Sequence, residues 1–125
     1  QSEKSSKKLD TMKLPEKIIF NFELNSNELT TKAYRDLDGI AQLVTKYPGL
    51  EIIIEGYTDS LGSYSYNKKL SKFRAEIIKK YFVGKGIDRL KITAVGHGAK
   101  GFIATNDTEE GRRLNRRVEI KVKAE

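Results

Sequence analysis

Short β-branched runs alternate along this chain with longer segments of helical periodicity. Strands that are joined through helices need crossover connections, and such connections place at least some strands parallel to each other. We therefore expect an α/β (α+β) fold with a single mixed sheet of about four strands, in the order βαβαβ(α)β, and with the helices packed on it. The predicted strands are residues 17–22, residues 50–56, residues 90–96 and a final run in which Val118, Ile120 and Val122 alternate with polar residues.

Two of the segments between these runs have the apolar spacing of an amphipathic helix. The first begins at Thr30 or Thr31 and stops at the YPG sequence of residues 47–49; its apolar positions are Ala33, Leu37, Ile40, Ala41 and Val44. The second has its apolar positions at Leu70, Phe73, Ile77, Ile78, Tyr81 and Phe82. A short third helix is predicted to begin at Thr108, because the two glutamates that follow complement the positive end of a helix dipole.

The length of 125 residues fits one domain with a short tail. Residues 1–14 are polar and rich in Lys and Ser, which is typical of a flexible linker or tether, and residues 15–125 form the predicted domain. The chain starts at Gln1 without a Met and shows no signal peptide, so we interpret it as a processed or excised piece. No apolar run approaches the roughly 18 residues that a membrane-spanning helix needs.

Two features of the composition limit the chemistry that this chain can perform. It has no Cys and a single His, His97, so a thiolate nucleophile or a site with several His ligands is not expected. We predict a non-catalytic protein without cofactor or metal.

The net charge of +7 is compatible with a second kind of function, a basic module that binds nucleic acid or another anionic surface. The densest basic cluster consists of Arg112, Arg113, Arg116 and Arg117. No strand with interleaved aromatic residues and no groove-reading helix accompanies it, and we expect no nucleic-acid partner.

A polar constellation surrounds the end of the second predicted strand. Asp59 lies just beyond that end, where ligand crevices of open α/β sheets are found. On the helix that follows, Asn67, Ser71 and Arg74 are spaced i, i+4, i+7 and so form one polar stripe that can face the Asp59 loop.

Spacing alone leaves two interpretations of Asp59 and Arg74 open. They can form an exposed ion pair, which contributes about 0–1 kcal/mol. Alternatively, they can bind the two ends of a zwitterion, with Asp59 accepting hydrogen bonds from an ammonium and Arg74 clamping a carboxylate. Asn67 carries both a donor and an acceptor and can serve either end.

Several motifs occur in an order that is familiar from one family. They are TD at residues 58–59, N-x-x-LS-x-x-RA at residues 67–75, N-x-T-x-x-GR at residues 106–112 and NRRVE at residues 115–119. With them the chain closely resembles the OmpA-like C-terminal domain family, the peptidoglycan-associating module of Gram-negative envelope proteins. The resemblance runs from about residue 18 to residue 122.

The resemblance implies non-covalent binding of peptidoglycan through the diaminopimelate residue of the stem peptide. Such a domain lies in the periplasm and anchors an outer-membrane or envelope protein to the cell wall. It meets the membrane only through the N-terminal part of its parent protein. In this family the parent protein is an outer-membrane barrel, a lipoprotein of the Tol–Pal type or a flagellar stator protein. The family's Asp of the TD motif meets the ammonium of the ligand and its Arg of LS-x-x-RA meets the carboxylate. Those residues are Asp59 and Arg74 here.

The resemblance also assigns the remaining site residues. The matching positions are Thr58, Asn67, Leu70, Ser71, Asn115, Arg116 and Arg117. The loop of residues 23–27 is expected to line the same cleft. This chain departs from the family at Tyr57, where His is common, and at Ala99 and Phe102, where the family commonly has G-x-G-E followed by Pro.

Overall fold

The computed structural model describes Leu14, residues 17–22 and residues 26–125. Most of the predicted linker (residues 1–14) and part of the predicted lining loop (residues 23–25) lie outside the described residues. The observed elements are β1 (Ile18–Asn21), α1 (Thr31–Lys46), β2 (Leu50–Tyr57), α2 (Tyr64–Gly84), a 3-10 turn (Arg89–Lys91), β3 (Ile92–Gly98), α3 (Glu109–Asn115) and β4 (Arg117–Ala124). The predicted order of strands and helices is confirmed.

Hydroxyl side chains begin each of the three α-helices in the described residues. The side-chain oxygens of Thr30, Ser63 and Thr108 accept hydrogen bonds from backbone N–H groups three residues later. This bond satisfies one of the donors that a helix start leaves without a partner. The predicted starts of α1 and α3 are therefore confirmed.

The strands form a four-stranded mixed sheet in the order β1-β4-β2-β3. β2 and β3 pair in parallel, as expected for strands that a helix connects, and β4 pairs antiparallel with both β1 and β2. The C-terminal strand therefore lies inside the sheet. This position brings Arg116, just before β4, close to Phe22, just after β1.

One face of the sheet and both long helices share a single apolar core. The sheet contributes Phe20, Leu50, Ile52, Ile54, Ile92, Val118, Ile120 and Val122. The predicted apolar face of α1 is buried at all five positions, and Val118, Ile120 and Val122 alternate as predicted. The predicted face of α2 is wrong at Phe73, which is 53% exposed, whereas Asn67, Ser71 and Arg74 are buried.

The burial of this polar stripe results from a close approach of α2 to the sheet. A Cβ atom on Gly56 of β2 would lie 2.2 Å from the carbonyl oxygen of Ser71, and one on Gly96 of β3 would lie 2.3 Å from the backbone nitrogen of Lys72. Only glycine permits such backbone contact. α2 therefore turns its Asn67–Ser71–Arg74 stripe towards the strand ends.

The predicted third strand begins two residues too early and ends two residues too early. Asp88 accepts a hydrogen bond from the backbone N–H of Leu90 and so starts the 3-10 turn, which leaves Leu90 81% exposed. β3 then runs from Ile92 to Gly98. Across the part of the chain that the structure describes, none of the helices combines the length and the apolar character needed to cross a membrane.

Candidate functional site

A cleft of about 450 Å³ opens where β2 ends, between the loop that follows it and the first turns of α2. Its lining consists of Asn27, Thr58, Asp59, Leu61, Gly62, Tyr66, Asn67, Leu70, Arg74 and Arg116. This is the end of the strand at which the sequence predicted a ligand crevice. Within the described residues, no three acidic or His side chains converge in a way that could hold a metal ion.

Asp59 is a buried acid with both carboxylate oxygens engaged. Its Oδ1 accepts a hydrogen bond of 3.0 Å from the backbone N–H of Leu61, and its Oδ2 accepts one of 2.9 Å from Nη1 of Arg116. A carboxylate can accept about four hydrogen bonds, so each oxygen retains capacity for another donor. The side-chain hydroxyl of the preceding Thr58 donates to the Asp59 carbonyl at 2.9 Å and helps to fix this turn.

Arg74 is a buried cation that is held by neutral groups. Its Nε donates to Oδ1 of Asn27 at 2.9 Å, its Nη2 donates to the carbonyl of Ser26 at 3.0 Å, and its guanidinium lies 4.7 Å from the centre of the Phe22 ring. The third nitrogen, Nη1, is buried without a hydrogen-bond partner among the described residues. Burial, together with the nearby charge of Arg116, lowers the pKa of Arg74 to about 10, so the group remains protonated at neutral pH.

The interpretation of Asp59 and Arg74 as an exposed ion pair is wrong. Both side chains are buried, and no ion pair joins the two described residues; Arg116 is the cation that holds Asp59. Arg116 also donates from Nε to the carbonyl of Phe22 at 3.0 Å and from Nη2 to Oε2 of Glu109 at 2.6 Å. Burial lowers the pKa of Arg116, but its hydrogen bonds to Glu109 and Asp59 outweigh this effect and raise the pKa overall.

Three further predicted residues line the cleft together with Asp59, Arg74 and Arg116. Thr58 and Leu70 contribute to its wall, and Asn67 donates from Nδ2 to the carbonyl of Leu61 at 2.8 Å. Because Leu61 also binds the Asp59 carboxylate through its N–H, Asn67 holds the Asp59 loop against α2.

Ser71 and Asn115 lie outside the lining and act through other groups. Ser71 accepts a hydrogen bond from the N–H of Gly98, which fixes α2 to the end of β3. The Nδ2 of Asn115 donates to Oδ1 of Asn106, and the same oxygen accepts from the backbone N–H of Ser60, next to Asp59. Asn115 therefore supports the Asp59 loop through Asn106 rather than by reaching the cleft.

Arg117 also lies away from the cleft, in contact with Tyr57, the position at which the resembling sequences commonly have His. Its guanidinium is 4.0 Å from the centre of the Tyr57 ring, its Nε donates to Oε2 of Glu119 at 2.7 Å, and its Nη2 donates to the carbonyl of Gly101. The Tyr57 ring stacks in turn on His97. The departure from the family at Tyr57 therefore affects this stack, not the cleft lining.

Three lining residues, Leu61, Gly62 and Tyr66, and the charged residue Glu109 are not among the site residues predicted from the sequence. The sequence assigns Glu109 only to the start of a helix, yet this side chain binds Arg116. Their spacing of seven residues, or two helical turns, indicates that the two share one face. The pairing of Arg116 with Asp59 had no local signal, because 57 residues separate the two.

The sequence matches the family model described as OmpA family over residues 21–116. It is 38% identical over 104 residues to outer membrane porin F of Pseudomonas fluorescens, a match that covers 83% of this chain and 32% of the relative. It is 33% identical over 109 residues to the peptidoglycan-associated lipoprotein of Buchnera aphidicola, with 87% of this chain and 62% of the relative covered. The chain thus spans only about a third of the porin.

A solved structure has a similar fold. The peptidoglycan-associated lipoprotein from Burkholderia pseudomallei superposes with a TM-score of 0.79 at 26% identity, covering 84% of this chain and 89% of that one.

Proposed function

Because this chain belongs to the OmpA family, we propose that it binds peptidoglycan non-covalently and anchors an envelope protein to the cell wall from the periplasm. Two of the similar proteins are named peptidoglycan-associated lipoproteins, which supports this role. The domain acts here as a binding module and not as an enzyme. Its parent protein supplies any attachment to the outer membrane.

The proposed ligand group is the free α-amino acid centre of diaminopimelate in the stem peptide. The observation that carries this proposal is the buried Nη1 of Arg74, which has no partner among the described residues and belongs to a side chain that lines the cleft. A ligand carboxylate provides the anion that this buried guanidinium lacks, and it can do so with the planar geometry that Arg favours.

The opposite end of the centre is an ammonium, and Asp59 is suited to accept it. Its carboxylate is held in place by Leu61 and Arg116 and still has acceptor capacity on both oxygens. The cleft therefore offers a fixed anion and a fixed cation, both already removed from bulk water. Preorganised groups of this kind lose little conformational freedom when a ligand binds.

The affinity for a single small centre is expected to be modest. A dissociation constant near micromolar corresponds to about −8 kcal/mol. Many anchors acting on one polymer reach a much higher overall avidity, since each further binding event is effectively intramolecular.

The test is a calorimetric titration with meso-diaminopimelate and with a muropeptide that contains it. Removing one end of the clamp leaves the other charge buried and unpaired, so Asp59→Ala and Arg74→Ala should each weaken binding by about 2–5 kcal/mol. The matched surface controls Asp107→Ala and Arg35→Ala remove the same charges from exposed positions and should bind like wild type. Unchanged binding in both cleft variants would refute the clamp.

One further ligand and one change of conditions separate this proposal from a general affinity for anions. A stem peptide with lysine in place of diaminopimelate lacks the carboxylate for Arg74 and should bind weakly. Raising the salt concentration should weaken the clamp only mildly, whereas binding to a polyanion falls steeply. The burial of Arg116 and Arg117 favours the clamp, because two members of the predicted basic cluster hold internal acids instead of facing solvent.

A further inference from the structure

Arg116 binds two acidic side chains that differ in their exposure to solvent. Its Nη1 lies 2.9 Å from Oδ2 of the buried Asp59, and its Nη2 lies 2.6 Å from Oε2 of Glu109. The side chain of Asp59 is 6% exposed, whereas that of Glu109 is 53% exposed. Asp59 is therefore fixed beside Arg116, and Glu109 approaches the same guanidinium from the solvent side.

The contact with Glu109 can be given up without dismantling the site. Nε of Arg116 remains bonded to the carbonyl of Phe22 and Nη1 remains bonded to Asp59 if Glu109 turns away. That movement frees Nη2, a donor of a guanidinium that lines the cleft. The hydrogen bond from Arg116 lowers the pKa of Glu109, so at neutral pH the departing group is a carboxylate and can be replaced by another one.

We propose that Glu109 is an internal competitor that occupies the edge of Arg116 at which a second carboxylate of the ligand binds. The inference rests on the proposed function, in which Asp59 and Arg74 hold the amino acid centre. It adds a ligand class: stem peptides that carry a second free carboxylate close to that centre. Arg116 is then a second carboxylate-binding residue, and Glu109 sets its selectivity.

The charges of the cleft agree with this role. The cleft lining carries two cations, Arg74 and Arg116, and one anion, Asp59. The carboxylate of Glu109, which lies at the edge of Arg116 and 3.4 Å from Nε of Arg112, offsets the excess positive charge. When Glu109 is displaced, the remaining groups match a ligand with one extra negative charge. Arg74 and Arg116 both line this cleft, so a ligand within it can contact both guanidiniums.

The experiment compares two synthetic diaminopimelate-containing tripeptides that differ at one position. One has a free carboxylate on the residue next to diaminopimelate, and in the other that carboxylate is amidated. Glu109→Gln keeps the size of the side chain and removes its charge. We expect it to bind the free-carboxylate tripeptide about three- to tenfold more tightly than wild type does, and the amide within about twofold.

Glu110→Gln is the matched control, because it removes the same charge from the adjacent exposed position of α3. It should change neither affinity by more than about twofold. A thermal unfolding curve of each variant verifies that it is folded. Because Glu109 is exposed, we expect Glu109→Gln to fold like wild type.

The outcomes separate the inference from the function on which it rests. If Glu109 merely orients Arg116, Glu109→Gln weakens binding of both tripeptides, and the inference is overturned. An unchanged ratio of the two affinities overturns it as well. Wild-type protein that binds neither tripeptide would overturn the proposed function and this inference together.

Discussion

Arg116, rather than Arg74, forms the buried ion pair with Asp59, with 2.9 Å between Nη1 and Oδ2. Arg74 lines the same cleft but is held by the amide oxygen of Asn27 and the carbonyl of Ser26. One guanidinium therefore has an internal anion and the other has neutral partners among the described residues. The same substitution at the two positions should have opposite effects on stability.

Replacement of Arg116 by Met should destabilise the fold by about 3–5 kcal/mol, because it leaves Asp59 buried without its cation. Urea denaturation measures this change in the free energy of unfolding. Arg35→Met, an exposed change on α1, should stay within about 0.5 kcal/mol of wild type. A loss below 1 kcal/mol for Arg116→Met would show that Asp59 finds other compensation.

Replacement of Arg74 by Met should raise the free energy of unfolding by about 1–3 kcal/mol while it eliminates binding of diaminopimelate. The pKa of Arg74 is lower in the folded chain, at about 10, so the unfolded chain holds this proton more tightly. The charge therefore opposes folding at every pH below about 10, and this penalty is relieved only as the pH rises above that value. Urea denaturation at pH 7 without ligand measures whether the free energy of unfolding rises or falls. A lower value for Arg74→Met than for wild type would contradict the prediction.

Replacement of Gly56 by Ala should destabilise the fold by about 1–3 kcal/mol and also weaken ligand binding. The added methyl group would meet the backbone carbonyl of Ser71 and push α2 away from β2. Arg74 moves with α2 and Asp59 stays with β2, so the two ends of the clamp separate. Gly39→Ala on α1, where an added Cβ meets nothing within 4 Å, is the control that should not weaken binding. Full affinity of Gly56→Ala would mean that the cleft tolerates the shift.

Stability should decline in acid partly through Glu119. Burial raises the pKa of this side chain, but hydrogen bonds from Arg117 and Lys17 outweigh it and hold the pKa below the ordinary 4.5. Its contribution is therefore complete above pH 4.5 and is lost as the pH falls through the lower folded value.

Glu119→Gln should consequently be less stable than wild type at pH 7, by about 3 kcal/mol, and should lose less stability between pH 5 and pH 3. Unfolding curves at several pH values measure both effects. Glu110→Gln should leave the shape of the profile unchanged, and an equally steep profile for Glu119→Gln would assign the acid sensitivity to other carboxylates.

The local patterns predicted the fold well because they depend on neighbours in the sequence. The caps at Thr30 and Thr108 and the alternation in β4 are local features, and the structure has all of them. The predicted face of α2 failed at Phe73 because the contact of Gly56 and Gly96 with the helix backbone decides which side of α2 is buried. A hydrophobic pattern alone contains no information about such a contact.

The site was predictable in its residue types and less so in its pairing. Asp59 and Arg74 follow each other on adjacent elements, and motif spacing pointed to both. The partner of Asp59 depends on which strand lies beside β2 in the sheet. β4 lies between β1 and β2, and this position brings Arg116 to Asp59. Long-range pairing of this kind has no local signature in a single sequence.

The attachment of Arg116 to Phe22 affects when the domain becomes competent to bind during its synthesis. The backbone N–H of Phe22 donates to the carbonyl of Arg116, and Nε of Arg116 donates back to the carbonyl of Phe22, across 94 residues of sequence. A growing chain that has passed Arg74 already possesses both ends of the clamp, but Arg116, the cation that steadies Asp59, follows only after β3 and α3. A domain that is truncated before Arg116 should therefore not hold peptidoglycan, although it contains both Asp59 and Arg74.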